Sequence, residues 1–171
     1  MFSHNDMNIT IINYCKDENA KGRQLARIGA LFGCAANFVG VSNELEAAGN
    51  LIDILDASAQ SPGIILVNVA PRNGKAKKHK NGTPFGYFWY QKTLVVASVD
   101  GLTLSLVKKL KLAEYIHVLD IPETLDILIK RKFLSADLKS QITDNQFRSF
   151  DFLPRIAQYL FKHKIYKDKN T

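Results

Sequence analysis

The sequence predicts an α/β protein: a mostly parallel sheet with helices on both faces, a Rossmann-like three-layer sandwich. Three observations carry that prediction. Short runs rich in β-branched and aliphatic residues, "ITIINYC" and "GIILVNVA" above all, read as strands buried on both faces. Segments of helical periodicity alternate with them, the pattern of βαβ units. Capping and turn residues stand at the joints between segments. At 171 residues the chain is long enough for one compact core. The domain is predicted over residues 1–161, with 162–171 as a basic, frayed tail.

The elements follow in order. "ITIINYC" is the first strand. In "KDENAKGRQLARIGALFG", Leu25, Ile28, Leu31 and Phe32 recur at helical spacing, with Arg23 and Arg27 on the opposite side. Asp17 or Asn19 caps that helix and Gly33 ends it. "NFVGV" is a second, short strand. "SNELEAAGNLIDILDA" opens with Ser42 and Asn43 as caps and reads as helix with a break at Gly49. "GIILVNVA" is the clearest buried strand. "YFWY" and "KTLVVASV" form a strand pair joined tightly at Gln91-Lys92; Phe88 and Tyr90 share one face, Tyr87 and Trp89 the other. "LTLSLVKKLK" is a short amphipathic helix, and "YIHVLDI" is strand again. "PETLDILIKRKFL" starts with Pro at a helix entrance, where the missing N–H is harmless. In "DFLPRIAQYLFKHK", Asp151 is the expected cap and Phe152, Ile156, Tyr159 and Leu160 the buried face.

Composition bounds the function classes. No apolar run approaches the ~20 residues of a membrane helix, and "MFSHNDMNIT" lacks the basic start and apolar stretch of a signal peptide. A cytoplasmic protein without a membrane partner is expected. Cys15 and Cys34 lie among apolar or small residues and are expected to be buried thiols, not a disulfide. The net charge of +7 is concentrated. Arg72, Lys75, Lys77, Lys78 and Lys80 fall within nine residues, and Lys162–Thr171 holds four lysines against one aspartate. The rest of the chain is close to neutral.

The basic loop leaves a buried strand at its carboxyl end, where open α/β sheets hold their ligands. Charge this local fits an anionic partner, a nucleotide or nucleic acid; a solvated loop is the plainer alternative. The aromatics of "NGTPFGYFWY" beside it suit either base stacking or ordinary strand packing.

Most chemical motifs are absent. No G-x-G-x-x-G follows the first strand. "RNGKAKK" lacks the first glycine and the hydroxyl residue of a phosphate-binding loop. His4, His79, His117 and His163 are scattered without ligand spacing, so no metal is expected, and His117 reads as a structural histidine. Asp53, Asp56, Asp120 and Asp126 are assigned mainly to surfaces and caps.

Four segments, in order, resemble a known family. "INYCKDENAKG" resembles a first strand ending in Asp-Phe-Gly, with Asn13, Tyr14 and Cys15 at those positions. "ILVNVAPRNGKAKK" resembles a strand ending in Asp-Pro-Gly-Val-Gly and a following Arg, with Pro71 and Gly74 kept. "LVVASVDGLTLSLVKKL" resembles a segment ending in Pro-Asp-Asn-Gly-Leu. "NQFRSFDFLPRIAQYL" resembles a Phe-His-Gly-Arg-Asp segment and its helix, with Phe147 and Asp151 kept and Ser149 where fluoride-using members have Ser. The family is the S-adenosylmethionine hydroxide adenosyltransferases, relatives of the adenosyl-fluoride and adenosyl-chloride synthases. The resemblance covers nearly the whole chain, but no single motif is intact.

The resemblance implies the N-terminal domain of that family, trimeric assembly, and S-adenosylmethionine as substrate or ligand with no further cofactor. It implies attack of water on the ribose C5′ with methionine leaving. Ser149, Asn73 and Lys78 then become the candidate catalytic residues. Asn13, Pro71, Gly74, Asp100 and Phe147 become the candidate binding residues. The family's second, β-barrel-like domain has no counterpart in this sequence. Its Asp-Arg-His set is altered: Ala70 replaces the Asp, Lys77 or Lys78 stands near the Arg, and Arg148 replaces the His. Asn13 replaces the Asp that holds the ribose hydroxyls. Adenosyl binding with hydrolysis, nucleotide or nucleic-acid binding through residues 72–80, and a homo-oligomeric scaffold are the competing expectations.

Overall fold

The computed structural model describes residues 7–69 and 83–169. Its centre is a six-stranded sheet. The strands are β1 (Asn8–Asn13), β2 (Asn37–Gly40), β3 (Gly63–Asn68), β4 (Phe85–Tyr90), β5 (Thr93–Ser98) and β6 (His117–Val118), in the order β2-β1-β3-β5-β4-β6. β1, β2, β3 and β5 are mutually parallel; β4 runs antiparallel to β5 and to β6. The α/β architecture and mostly parallel sheet are as the alternating pattern predicts.

Period-2 alternation divides the core into two layers. Ile9, Ile11, Ile64, Leu66, Leu94 and Val96 face one side, beneath α1 (Glu18–Phe32), α4 (Ile121–Lys130) and α6 (Leu153–Lys169). Ile12, Ile65, Val67, Val95 and Ala97 face the other, beneath α2 (Glu44–Ala57) and α3 (Ser105–Lys109). This is why the three central strands read as unbroken apolar runs: both of their faces are covered. The aromatic strand β4 behaves likewise, with Phe85, Tyr87 and Trp89 in the first layer and Phe88 and Tyr90 in the second.

Helix ends follow capping chemistry. Asp17 accepts from the Ala20 N–H, Asn43 from Glu46, and Asp120 from Glu123. Gly33 closes α1 with φ of 71°, which a side chain would resist. The turn at Gln91 takes a φ of 54°.

Several expectations are corrected. α2 runs through Gly49 unbroken, because burial of Ala47, Ala48, Leu51 and Leu55 outweighs the ~1 kcal/mol that a glycine within a helix costs. The "YIHVLDI" strand shrinks to two residues, since Asp120 turns the chain into α4 and only His117 and Val118 reach the β4 edge. Asp151 is not a cap. The helical stretch starts earlier, at α5 (Asn145–Phe147), where the Asp144 carboxylate accepts from the Phe147 N–H at 2.9 Å. Both cysteines are half-buried rather than fully buried, and burial still raises the Cys34 thiol pKa. His117 is exposed and stacks on Tyr87 at 4.8 Å. Helix α6 continues to Lys169, into the segment where composition predicts a frayed tail. No helix among the described residues is long and apolar enough to cross a membrane.

Candidate functional site

Parallel pairing brings three strand ends to one level. Asn13 lies opposite Asn68, and Ala97 lies opposite Val67, which sets Ser98 beside Asn68. By the alternation above, Asn13, Asn68 and Ser98 all project toward the layer of α1 and α6. These are carboxyl ends of strands, the rim where open α/β sheets bind ligands.

Ser149 comes to meet them. It belongs to a π-helical turn, Arg148–Phe152, inserted between α5 and α6. Such turns add a residue and re-aim the side chains around it, often at functional sites. The Asn68 amide donates to Ser149 Oγ at 2.6 Å and the Asn13 amide at 3.3 Å. Ser98 Oγ donates to Asn68 Oδ1 at 3.1 Å and accepts from the Val69 N–H at 3.3 Å. Asn13 Oδ1 accepts from the Cys15 N–H at 2.8 Å. All four side chains are at most 4% exposed. A buried polar cluster is tolerated because its members satisfy one another.

Arg148 lies beside this cluster, 3% exposed. Its guanidinium donates to the carbonyls of Thr83 and Ile142 and sits 4.8 Å over the Phe85 ring. Burial lowers its pKa well below the ordinary arginine value, to about 10, with a smaller opposing pull from Tyr14. It therefore stays cationic at neutral pH and works as a tether rather than a base. Asp151 accepts from Arg155 at 2.8 Å and pairs with Arg27 at 3.1 Å, while Arg23 sits 5.1 Å over Phe150. The face of α1 expected to look outward thus clamps the π turn.

Two buried polar atoms lack a hydrogen-bond partner among the described residues: Gln24 Oε1 and Thr83 Oγ1. Gln24 donates to the Cys15 carbonyl just beyond Asn13, and the Thr83 carbonyl holds Arg148. Both unsatisfied atoms therefore belong to residues bonded to the rim.

The sequence-predicted residues divide into four groups. Asn13 and Ser149 meet directly. Asp100 follows β5 on the same rim, half-buried, ahead of Gly101 at φ 78°. Phe147 is at the segment named for it, but its ring packs into the core, stacked on Phe152 at 6.0 Å, so it supports the π turn from behind. Pro71, Asn73, Gly74 and Lys78 lie outside the described residues, as do Ala70, Arg72, Lys75, Lys77 and Lys80. Sequence reasoning missed Asn68 and Ser98. A signal existed for the first: "IIN" and "LVN" end two buried strands with the same residue. Among the described residues no group of three or more His, Cys, Asp or Glu could hold a metal ion.

Neither protein-family models nor curated proteins give a match to this chain. The fold and rim define a class, an α/β protein with a buried polar cluster at the carboxyl ends of three parallel strands.

Proposed function

We propose that the protein binds an adenosyl compound, S-adenosylmethionine foremost, over the rim formed by β1, β3 and β5. The observation that carries this reading is the meeting of Asn13, Asn68 and Ser98 with Ser149 from a π turn distant in sequence. It supports the resemblance because the first and last of the four resembling segments come together at the place where this fold class binds ligands. The basic segment 70–82 enters after Val69 and leaves before Thr83, both buried beside the same cluster. Its cations suit the carboxylate of the methionine moiety and repel the sulfonium, which favours carboxylate-first orientation.

The chemistry proposed for the bound compound is adenosyl transfer to water. A water oxygen bonds to C5′, the C5′–S bond breaks, its electron pair leaves on neutral methionine, and the water proton passes to solvent. The sulfonium is already an activated leaving group, so positioning and desolvation do most of the work. Arg148 is tethered and cationic, and Asn13 spends its acceptor on the Cys15 amide. Neither serves as a general base, so turnover is expected to be slow.

Calorimetry with S-adenosylmethionine, followed by chromatography for adenosine, tests both halves. Affinity tighter than millimolar and gradual release of adenosine are expected. Saturable binding with no adenosine would remove the hydrolysis and keep the binding site. No binding at millimolar ligand would remove the reading altogether.

A further inference from the structure

We propose that a second site, between the end of α4 and the outer half of α6, binds single-stranded nucleic acid. A hollow of about 490 Å³ there is lined by Arg131, Phe133, Tyr159, Lys162 and His163. Two of these five, Arg131 and Lys162, carry positive charge, and the other three present flat rings. Lys130 and Lys132 flank Arg131 in the chain, and both are exposed. No carboxylate among the described residues lines the hollow, and Asp126 on α4 is held by Lys139 at 3.0 Å.

The rings are already arranged as a platform. His163 lies on Tyr159 with centroids 5.8 Å apart and planes 11° from parallel. Phe133 meets Tyr159 edge-on at 5.6 Å, and Lys162 Nζ stands 5.9 Å over Phe133. His163 is exposed, so its outer face extends the stack toward solvent. Aromatic rings beside a cationic surface are how sequence-tolerant proteins hold single strands: bases stack and phosphates pair. A duplex keeps its bases inside and cannot use the platform. A lipid surface would call for aliphatic side chains, and none of the described residues that line the hollow is aliphatic. Lys162 lies nine residues beyond Leu153 on α6, about 14 Å further along the helix. The site is therefore separate from the rim and stands whether or not an adenosyl compound binds there.

The test is fluorescence anisotropy of the full chain with a short labelled single-stranded RNA across a salt series. Duplex RNA of the same length and vesicles rich in phosphatidylserine serve as rival ligands. R131E/K162E is expected to weaken single-strand binding at least about tenfold and to reduce the salt slope by about 1.4, from ~0.7 per phosphate contact. H163A should cost about fivefold or more while leaving the slope unchanged, because a stacked base carries no counterions. All three side chains are exposed, and R131Q/K162Q repeats the test should charge reversal disturb the fold. K75A/K77A/K78A should retain the response to R131E/K162E. Undiminished binding by R131Q/K162Q overturns the proposal. So does equal affinity for the duplex or the vesicles, or an H163A variant indistinguishable from the parent.

Discussion

Substituting Ser149→Ala removes one oxygen and leaves two amide donors stranded. The Asn68 amide loses a 2.6 Å acceptor and the Asn13 amide a 3.3 Å acceptor, both at sites less than 5% exposed. A buried donor left without a partner costs about 1–3 kcal/mol. The shorter bond deserves the middle of that range and the longer one its floor, so the loss should be about 3 kcal/mol. For a domain of this size each kcal/mol moves Tm by about 2–4 °C, which gives a fall of about 6–12 °C. Urea denaturation followed by circular dichroism should show a lower midpoint with an unchanged slope. Because Asn68 is a shared partner, S149A and N68A should be less than additive in the double variant, with a coupling of about 1 kcal/mol or more. A loss below about 1 kcal/mol, or strict additivity, would mean that the strand ends are not held through this oxygen.

Three further outcomes are expected. Relative to R148M, the parent protein should gain stability as pH rises above about 10, since Arg148 is depressed to about 10 when folded. Between that value and the ordinary arginine pKa the unfolded chain binds the extra proton, so the burial penalty is in full force below pH 10 and fades above it; pH-dependent urea titrations measure the difference. Gly63→Ala should destabilise by about 1–3 kcal/mol, because its Cβ would stand 2.6 Å from the Asn8 carbonyl and force β1 and β3 apart; thermal melts read this directly. Asp151→Ala should cost about 1–2 kcal/mol, as it frees Arg27 and Arg155 together and unties α1 from the π turn; amide exchange should quicken around residues 148–152.

The legibility of this fold varies with how local its causes are. "ITIIN", "GIILVN" and "TLVVAS" were readable because burial on both faces demands continuous apolar runs. Caps at Asp17, Asn43 and Asp120 were readable because an Asx side chain bonds within three residues. Strand order was not readable, since it depends on pairings between segments tens of residues apart. The π turn was invisible too: "RSFDF" has no local signature, and its shape reflects α1 clamping it through Arg23 and Arg27. Arg148 shows the same limit. A lone arginine in sequence suggests solvent, whereas here two backbone carbonyls and a phenyl face make a buried place for it. Of the candidate site, Asn13 and Ser149 were found through resemblance, while Asn68 and Ser98 needed the register.

The polar cluster can be divided by what each bond accomplishes. Parallel strands that stop at one level leave backbone groups unpaired. Asn13 Oδ1 answers this at the Cys15 amide and Ser98 Oγ at the Val69 amide. Those two bonds would be useful in any protein of this topology. Ser149 is different, because it satisfies no backbone group of the strands. It joins two strand ends to a helix more than eighty residues beyond the nearer of them, and a π turn aims it there. An apolar residue could have filled that position at less risk, as half-satisfied buried networks are costly. The Ser149→Ala protein therefore separates two roles in one sample. If stability falls by the amount worked out above while affinity for S-adenosylmethionine per folded molecule stays constant, the serine is a strut and the ligand lies elsewhere. A loss of affinity beyond that explained by unfolding places the ligand against this hydroxyl.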